Sequence, residues 1–287
     1  MVRIDLNIEL NYQIYQYEAD FVFNIYATHT PQQTIWSENL SLSQAVTPGF
    51  YTDPVSGSRF MRLRAQPGDL KVIYTACIDI DHHFADPADL HEISVNELPA
   101  ETLIYLYPSR YCQSDMLGAL ATDEFGHLPR GYSRVEAIRE WVQKRVSFIS
   151  NTSNCNTSAL DTLNEEAGVC RDFAHLMIAL CRAVNIPARI ATGTDYGADS
   201  ALGPPDFHAY VEVWLQDRWW IFDPSGTTIP MGCVRLGTGR DAVDVAIASM
   251  FGNVGTAAPI IKATAVIDKS RNLVLPQRCN VALSTSR

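Results

Sequence analysis

An all-β module leading into an α+β domain is the architecture this sequence predicts, and three patterns predict it. Residues 2–10 alternate apolar and polar with a period of two. No helical periodicity interrupts the short strand-like runs that follow, as far as residue 85. Beyond them a strongly amphipathic run at 170–184 precedes two aromatic-rich strands. At 287 residues the chain can hold two modest domains, each with its own core.

Val2, Ile4, Leu6, Ile8 and Leu10 share one face of the first run, and Arg3, Asp5, Asn7 and Glu9 share the other. That is the pattern of a half-buried strand. Residues 21–27, 34–41, 59–65 and 71–80 read as further strands, the last two joined by a Pro67-Gly68-Asp69 turn. Residues 1–85 are therefore expected to form a β-sandwich-like N-terminal domain. Its simplest role is to pack against the second domain. Residues 86–112 are read as a connector, with Pro, Asp and Glu concentrated between 86 and 108. The second domain is expected over 113–287. It should contain a helix at 134–146, a helix from residue 170, a hairpin within 207–225, and a closing β-hairpin of 260–268 with 272–275 around Lys269-Ser270-Arg271.

Composition narrows the function. The chain is 47% hydrophobic and 19% charged, as ordinary globular proteins are. A net charge of −10 argues against nucleic acid or an anionic membrane as the main partner. No run of about 18 apolar residues could span a bilayer. The N-terminus alternates and forms no apolar block, so no signal peptide is read, and a cytoplasmic location is expected. Seven scattered cysteines without a CxxC pair fit reduced thiols better than a disulfide framework or a zinc knuckle. No glycine-rich phosphate loop follows a strand, so neither metal nor organic cofactor is expected.

Chemistry concentrates in GVCRDFAHLMIALCRAVNIPAR, residues 168–189. Cys170, Ala174, Met177, Cys181 and Val184 fall on one helical stripe that begins almost at the first cysteine. A thiol at a helix N-terminus faces unpaired N–H groups and the positive end of the macrodipole, which favour its thiolate. Cys181, three turns inside, reads as an inert core thiol. His175 lies five residues beyond Cys170, about 140° around the helix, so the two cannot face one site as base or as metal ligands. It reads as a structural or surface histidine. In DIDHHFAD, residues 79–86, two adjacent strand histidines point to opposite faces, which weakens any metal site there.

FHAYVEVW at 207–214 and WWIFDPSG at 219–226 supply a base and a carboxylate. The arms are separated by Gln216-Asp217, so Leu215 should face Arg218 and Trp214 should face Trp219. Counting back, Tyr210 faces Asp223, which places Asp223 and His208 on one sheet face as diagonal neighbours, about 7–8 Å apart at the backbone. A carboxylate there can hold one imidazole nitrogen and leave the other for a thiol.

These blocks, with GVCRDFAHLMIALCRAVNIPARIATG extended to residue 193, resemble the bacterial transglutaminase-like superfamily. The β-rich N-terminus, YLYPSRYCQSD at 105–115 and LGTGRDAVDVA at 236–246 carry the resemblance over most of the chain. It implies a papain-like (transglutaminase-like) cysteine core with a Cys-His-Asp triad on Cys170, His208 and Asp223. It also implies a thiol-dependent hydrolase, a cysteine peptidase or amidase, that takes a peptide or protein substrate through a thioester. Acyl transfer from glutamine to an amine is the alternative chemistry, and a catalytically silent peptide-binding module is the alternative class. Arg240 and Asp241 are expected as substrate contacts or as an ion pair fixing the C-terminal segment. Tyr196, within residues 193–205, is a further candidate substrate contact. Nothing resembles the calcium-site regions of animal transglutaminases, so no metal is implied.

Overall fold

The computed structural model describes residues 1–286. β1 (Val2–Ile14) runs antiparallel to the thirteen-residue β6 (Gly68–Ile80), from Val2↔Ile80 to Ile14↔Gly68. Every even position of β1 is buried and every odd one is partly or fully open, as its alternation requires. β3 (Gln33–Leu42) pairs with the far edge of β6, with a register shift between Ile35 and Ser37. β2 (Ala19–Phe23), β4 (Gly49–Thr52) and β5 (Arg59–Ala65) form the facing sheet, with β5 in the middle. Aromatic rings fill the space between the sheets: Phe21 stacks on Phe23 at 5.4 Å, and Tyr12 meets Phe21 edge-on at 5.2 Å. β4 is exposed at all four positions, so it offers no alternation to read. The strand read at 21–27 stops at Phe23, because the next residues bond elsewhere: Asn24 N–H to the Ile247 carbonyl and Thr28 N–H to that of Arg235.

After β7 (His83–Ala85) the 86–112 stretch forms short 3-10 turns at Pro87–Asp89, Val95–Glu97 and Ala100–Leu106. α1 (Gly118–Phe125), α2 (Tyr132–Arg145), β8 (Ser147–Phe148), α3 (Ala159–Glu165), β9 (Ala167–Gly168) and α4 (Cys170–Ala183) follow. α3 starts at a capping box: Ser158 and Asp161 exchange side-chain and backbone hydrogen bonds. Four antiparallel strands complete the domain in the order β12 (Arg218–Phe222), β11 (Phe207–Leu215), β10 (Ala188–Thr194), β13 (Gly237–Gly239). One face of this sheet packs Ile190, Val211 and Val213 against the helices; the other packs Ala191, Tyr210 and Ile221 into the core of the sandwich. Burial on both faces explains why these strands read as nearly unbroken apolar runs. α4 lies in the helix-side core with Leu176, Met177, Ile178 and Leu180 at zero exposure. Each such side chain contributes about 1.5–3 kcal/mol, which anchors the element that carries Cys170.

The expected closing hairpin of 260–268 with 272–275 is not formed. The chain instead returns to the sandwich: β14 (Ala248–Phe251) pairs with β2, while β15 (Val254–Thr256) and β16 (Ile260–Val266) pair with β1. Only an isolated bridge, Asp268↔Leu273, joins the two arms read from sequence. The physical reason is the long free edge of β1, which offers β16 seven aligned partners from Glu9 to Arg3. β17 (Ala282–Ser284) then pairs with β7. The Gln33 side chain stitches the two units together: its Nε2 donates to the Arg235 carbonyl at 2.9 Å and its Oε1 accepts the Arg235 N–H at 2.9 Å. Among the described residues no helix is long and apolar enough to cross a membrane.

Candidate active site

α4 begins at Cys170, with Val169 in extended geometry as its N-cap. Asp172, three residues further on and fully buried, accepts the Val169 N–H at 2.9 Å. Cys170 is half-buried at the end of the apolar stripe, and its Sγ lies 4.0 Å from the carbonyl oxygen of Phe207, the residue before His208. The other thiols differ in setting. Cys112, Cys181 and Cys233 are buried, and burial pushes each thiol well up, Cys112 and Cys233 to about 12. Burial also raises the Cys77 thiol.

The hairpin has the register read from its loop, with Leu215 opposite Arg218, Trp214 opposite Trp219 and Val211 opposite Phe222. His208 and Asp223 fall on one face, and the His208 Nε2 to Asp223 Oδ1 distance is 3.2 Å. Both side chains are buried. Asp223 is held by four more donors. Oδ1 accepts the Ser225 N–H at 3.0 Å and its hydroxyl at 2.6 Å; Oδ2 accepts the Thr228 N–H and hydroxyl, each at 2.9 Å. Burial opposes its ionisation, but His208 and these donors outweigh it and hold the carboxyl well below the usual range. Burial likewise works against the His208 imidazolium, yet the neighbouring Cys170 and Asp223 charges and hydrogen bonds dominate and raise it to about 10. Because Nε2 is committed to Asp223, Nδ1 is the nitrogen left for the Cys170 thiol. Tyr210 packs edge-on to the imidazole at 4.6 Å and is itself fixed by its hydroxyl donating to the Thr194 carbonyl at 2.8 Å.

Residues 120–224, which include all three side chains, match the transglutaminase-like superfamily core. Residues 2–101 match the bacterial transglutaminase N-terminal domain. A crystal structure of a Cytophaga hutchinsonii protein, provisionally described as a cysteine protease, is 36% identical to this chain. It superposes with a TM-score of 0.91 over 99% of this chain and 97% of that one. The chain belongs to the transglutaminase-like superfamily. An uncharacterized Mycobacterium leprae protein is 34% identical over 125 residues, 42% of this chain and 44% of that protein. One from Mycobacterium bovis is 29% identical over 125 residues, 39% and 40% of the respective chains. This transglutaminase-like chain thus spans under half the length of those curated relatives. Superfamily fold and cysteine-protease neighbour together support a thiol-dependent enzyme.

The remaining residues singled out from sequence lie elsewhere. His175 is a buried structural group: its ring stacks on Tyr111 at 4.9 Å and its Nε2 accepts the Ala242 N–H at 3.1 Å. Burial pushes its pKa down to about 3. Arg240 and Asp241 do not pair with each other. Arg240 binds Asp244 through two bonds of 2.9 and 3.0 Å, and buried Asp241 accepts the N–H groups of Tyr111 and Val243, each at 3.0 Å. Neither hydrogen-bonds the side chain of Cys170, His208 or Asp223, and Asp241 ties this segment to Tyr111. Tyr196 packs against Gly232, where an added Cβ would lie 2.4 Å from its ring, and it lines a small cleft with Asp195, Lys262 and Ala263. His82, in the link between β6 and β7, is buried, and His83, the first residue of β7, is exposed. Among the described residues no group of three or more His, Cys, Asp or Glu side chains is arranged to hold a metal ion.

Two features escaped the sequence reading. The donors on Asp223 were signalled by the hydroxyls in DPSGTT, residues 223–228. The other is an ionic cluster on the inner face of β11: fully buried Glu212 binds Arg189 at 2.8 Å and Arg235 at 2.8 Å plus a second, shorter contact. Only an unexpected glutamate in an apolar strand hinted at it.

Proposed function

We propose that the protein is a cysteine amidase or peptidase that cleaves an amide bond of a peptide or protein through a Cys170 thioester. One observation carries this reading: His208 binds Asp223 through Nε2, which leaves Nδ1 available to the thiol of Cys170, the first residue of α4. In this reading His208 already holds the Cys170 proton in an imidazolium–thiolate pair; Sγ attacks the substrate carbonyl and His208 then gives the proton to the departing amine. Asp223 holds the ring in one orientation and stabilises the imidazolium. Water, deprotonated by His208, attacks the thioester, releases the acid and restores the imidazolium–thiolate pair. The open Cys170 N–H and the helix dipole favour charge developing on the carbonyl oxygen. These residues complete the cycle without a metal or organic cofactor.

The test offers a glutamine-containing peptide together with a primary amine and measures both ammonia release and amine incorporation. Ammonia release that exceeds incorporation, and vanishes in Cys170→Ala, supports hydrolysis. Incorporation that outpaces hydrolysis moves the assignment to acyl transfer. Absence of both, with Cys170 inert to electrophiles, leaves a binding module.

A further inference from the structure

The helix that carries Cys170 starts without a side-chain cap. Its N-cap is Val169, which has no oxygen to bond the first-turn N–H groups. The carboxylate sits three residues inside, on Asp172, and bonds backward to the Val169 N–H at 2.9 Å. That bond consumes the donor just outside the helix and leaves the Cys170 N–H as the first open one. The other oxygen of Asp172 leaves the helix altogether: it accepts the Ser153 hydroxyl at 2.9 Å and lies 3.3 Å from Arg171 Nη2. Arg171 also bonds the Ser153 hydroxyl and the Asn154 carbonyl, the latter at 2.6 Å. Tyr111 donates its hydroxyl to the next carbonyl, that of Cys155, at 2.6 Å. Two consecutive loop residues, Ser153 and Asn154, are thereby tied to the turn that presents the nucleophile, and the next, Cys155, is tied to Tyr111. The fit leaves no slack, because a Cβ on Gly168 would sit 2.7 Å from that of Asp172.

We propose that Asp172 is a positioning residue: it clamps the 151–157 loop to the first turn of α4, so that the loop and the Cys170 N–H make a fixed corner for the carbonyl oxygen of the substrate. The proposal rests on the amidase reading and adds to it which buried group sets the geometry of acylation. Asp172 has no exposed surface and touches no substrate, so it acts only through Val169, Ser153 and Arg171. A merely structural carboxylate would, when altered, depress every property of Cys170 together with stability. A positioning carboxylate separates two reactions of the same thiol. Alkylation by iodoacetamide displaces iodide and builds no oxyanion, whereas acylation by p-nitrophenyl acetate passes through a tetrahedral oxyanion.

Full-length wild type, Asp172→Asn and the milder Ser153→Ala are compared in both reactions, with melting temperature recorded for each. Alkylation of Cys170 is expected to stay within about twofold of wild type. The acylation burst is expected to slow roughly 10-fold in Ser153→Ala and about 100-fold in Asp172→Asn. A parallel fall of both rates, or acylation of Ser153→Ala within twofold of wild type, overturns the clamp. A wild-type protein that is alkylated at Cys170 but gives no p-nitrophenol burst overturns the amidase reading itself, whereas a wild-type burst with unchanged variants overturns only the role of Asp172.

Discussion

Replacing Asp223 by Asn tests whether His208 and Cys170 work as an ion pair. The rise of His208 from its ordinary 6.5 to about 10 is worth roughly 5 kcal/mol at about 1.4 kcal/mol per pH unit. Asp223 supports it through both its charge and its hydrogen bond, so its loss should move the His208 titration down. An amide also presents N–H where Oδ2 now accepts the Thr228 N–H and hydroxyl, which costs about 1–3 kcal/mol of stability. The substitution also removes the acceptor that orients the imidazole. We therefore expect kcat/KM of the folded fraction to fall by about 10³. Ring-nitrogen NMR of His208 against pH reports the titration, iodoacetamide rates against pH report the thiolate, and urea melts report folding. The sign follows from the raised pKa: wild type keeps the stability contributed by the protonated pair below about pH 6.5 and loses it as pH climbs through about 10. In Asp223→Asn the loss still begins near pH 6.5 but is complete at lower pH, so less stability is lost. An unchanged His208 titration with activity within threefold of wild type would refute the ion pair.

Glu212→Gln should destabilise by about 3–5 kcal/mol in urea melts, since Arg189 and Arg235 would be left buried without their counter-charge; a change under 1 kcal/mol sinks that expectation. Burial resists ionisation of Glu212, but the two arginines hold it down at about 2 against an ordinary 4.5. Its contribution is complete above about pH 4.5 and lost as pH falls towards 2, so the urea midpoint of Glu212→Gln should fall less steeply than that of wild type in this window. Gly168→Ala pushes a methyl to 2.7 Å from the Asp172 Cβ and should cost about 1–3 kcal/mol, together with a loss of turnover; normal turnover at full stability would contradict it. Arg240→Ala breaks a half-exposed pair with Asp244, so unfolding should shift by no more than about 1 kcal/mol and kinetics of the folded fraction should not change. A selective rise in KM would restore Arg240 as a substrate contact.

Much of the arrangement was legible because it rests on local periodicity. The even positions of β1, the start of α4 at Cys170 and the parity of the 207–222 hairpin depend only on period two, period 3.6 and a two-residue loop, and the structure shows all three. The approach of His208 to Asp223 follows from that parity. What escaped is long-range. β16 could have folded on its own neighbours, but the free edge of β1, more than 250 residues earlier, offered seven aligned partners. Glu212 is tolerable in an apolar strand only because Arg189 and Arg235 converge on it from β10 and from the segment before β13. Asp172 is an ordinary first-turn acid until Ser153, nineteen positions upstream, folds against it. Alternation and helical phase dictate which way a side chain points, and they are written residue by residue. Which edge a strand pairs with, and which charges meet in the interior, are decided when distant segments compete for one surface, so only the tertiary structure records the outcome.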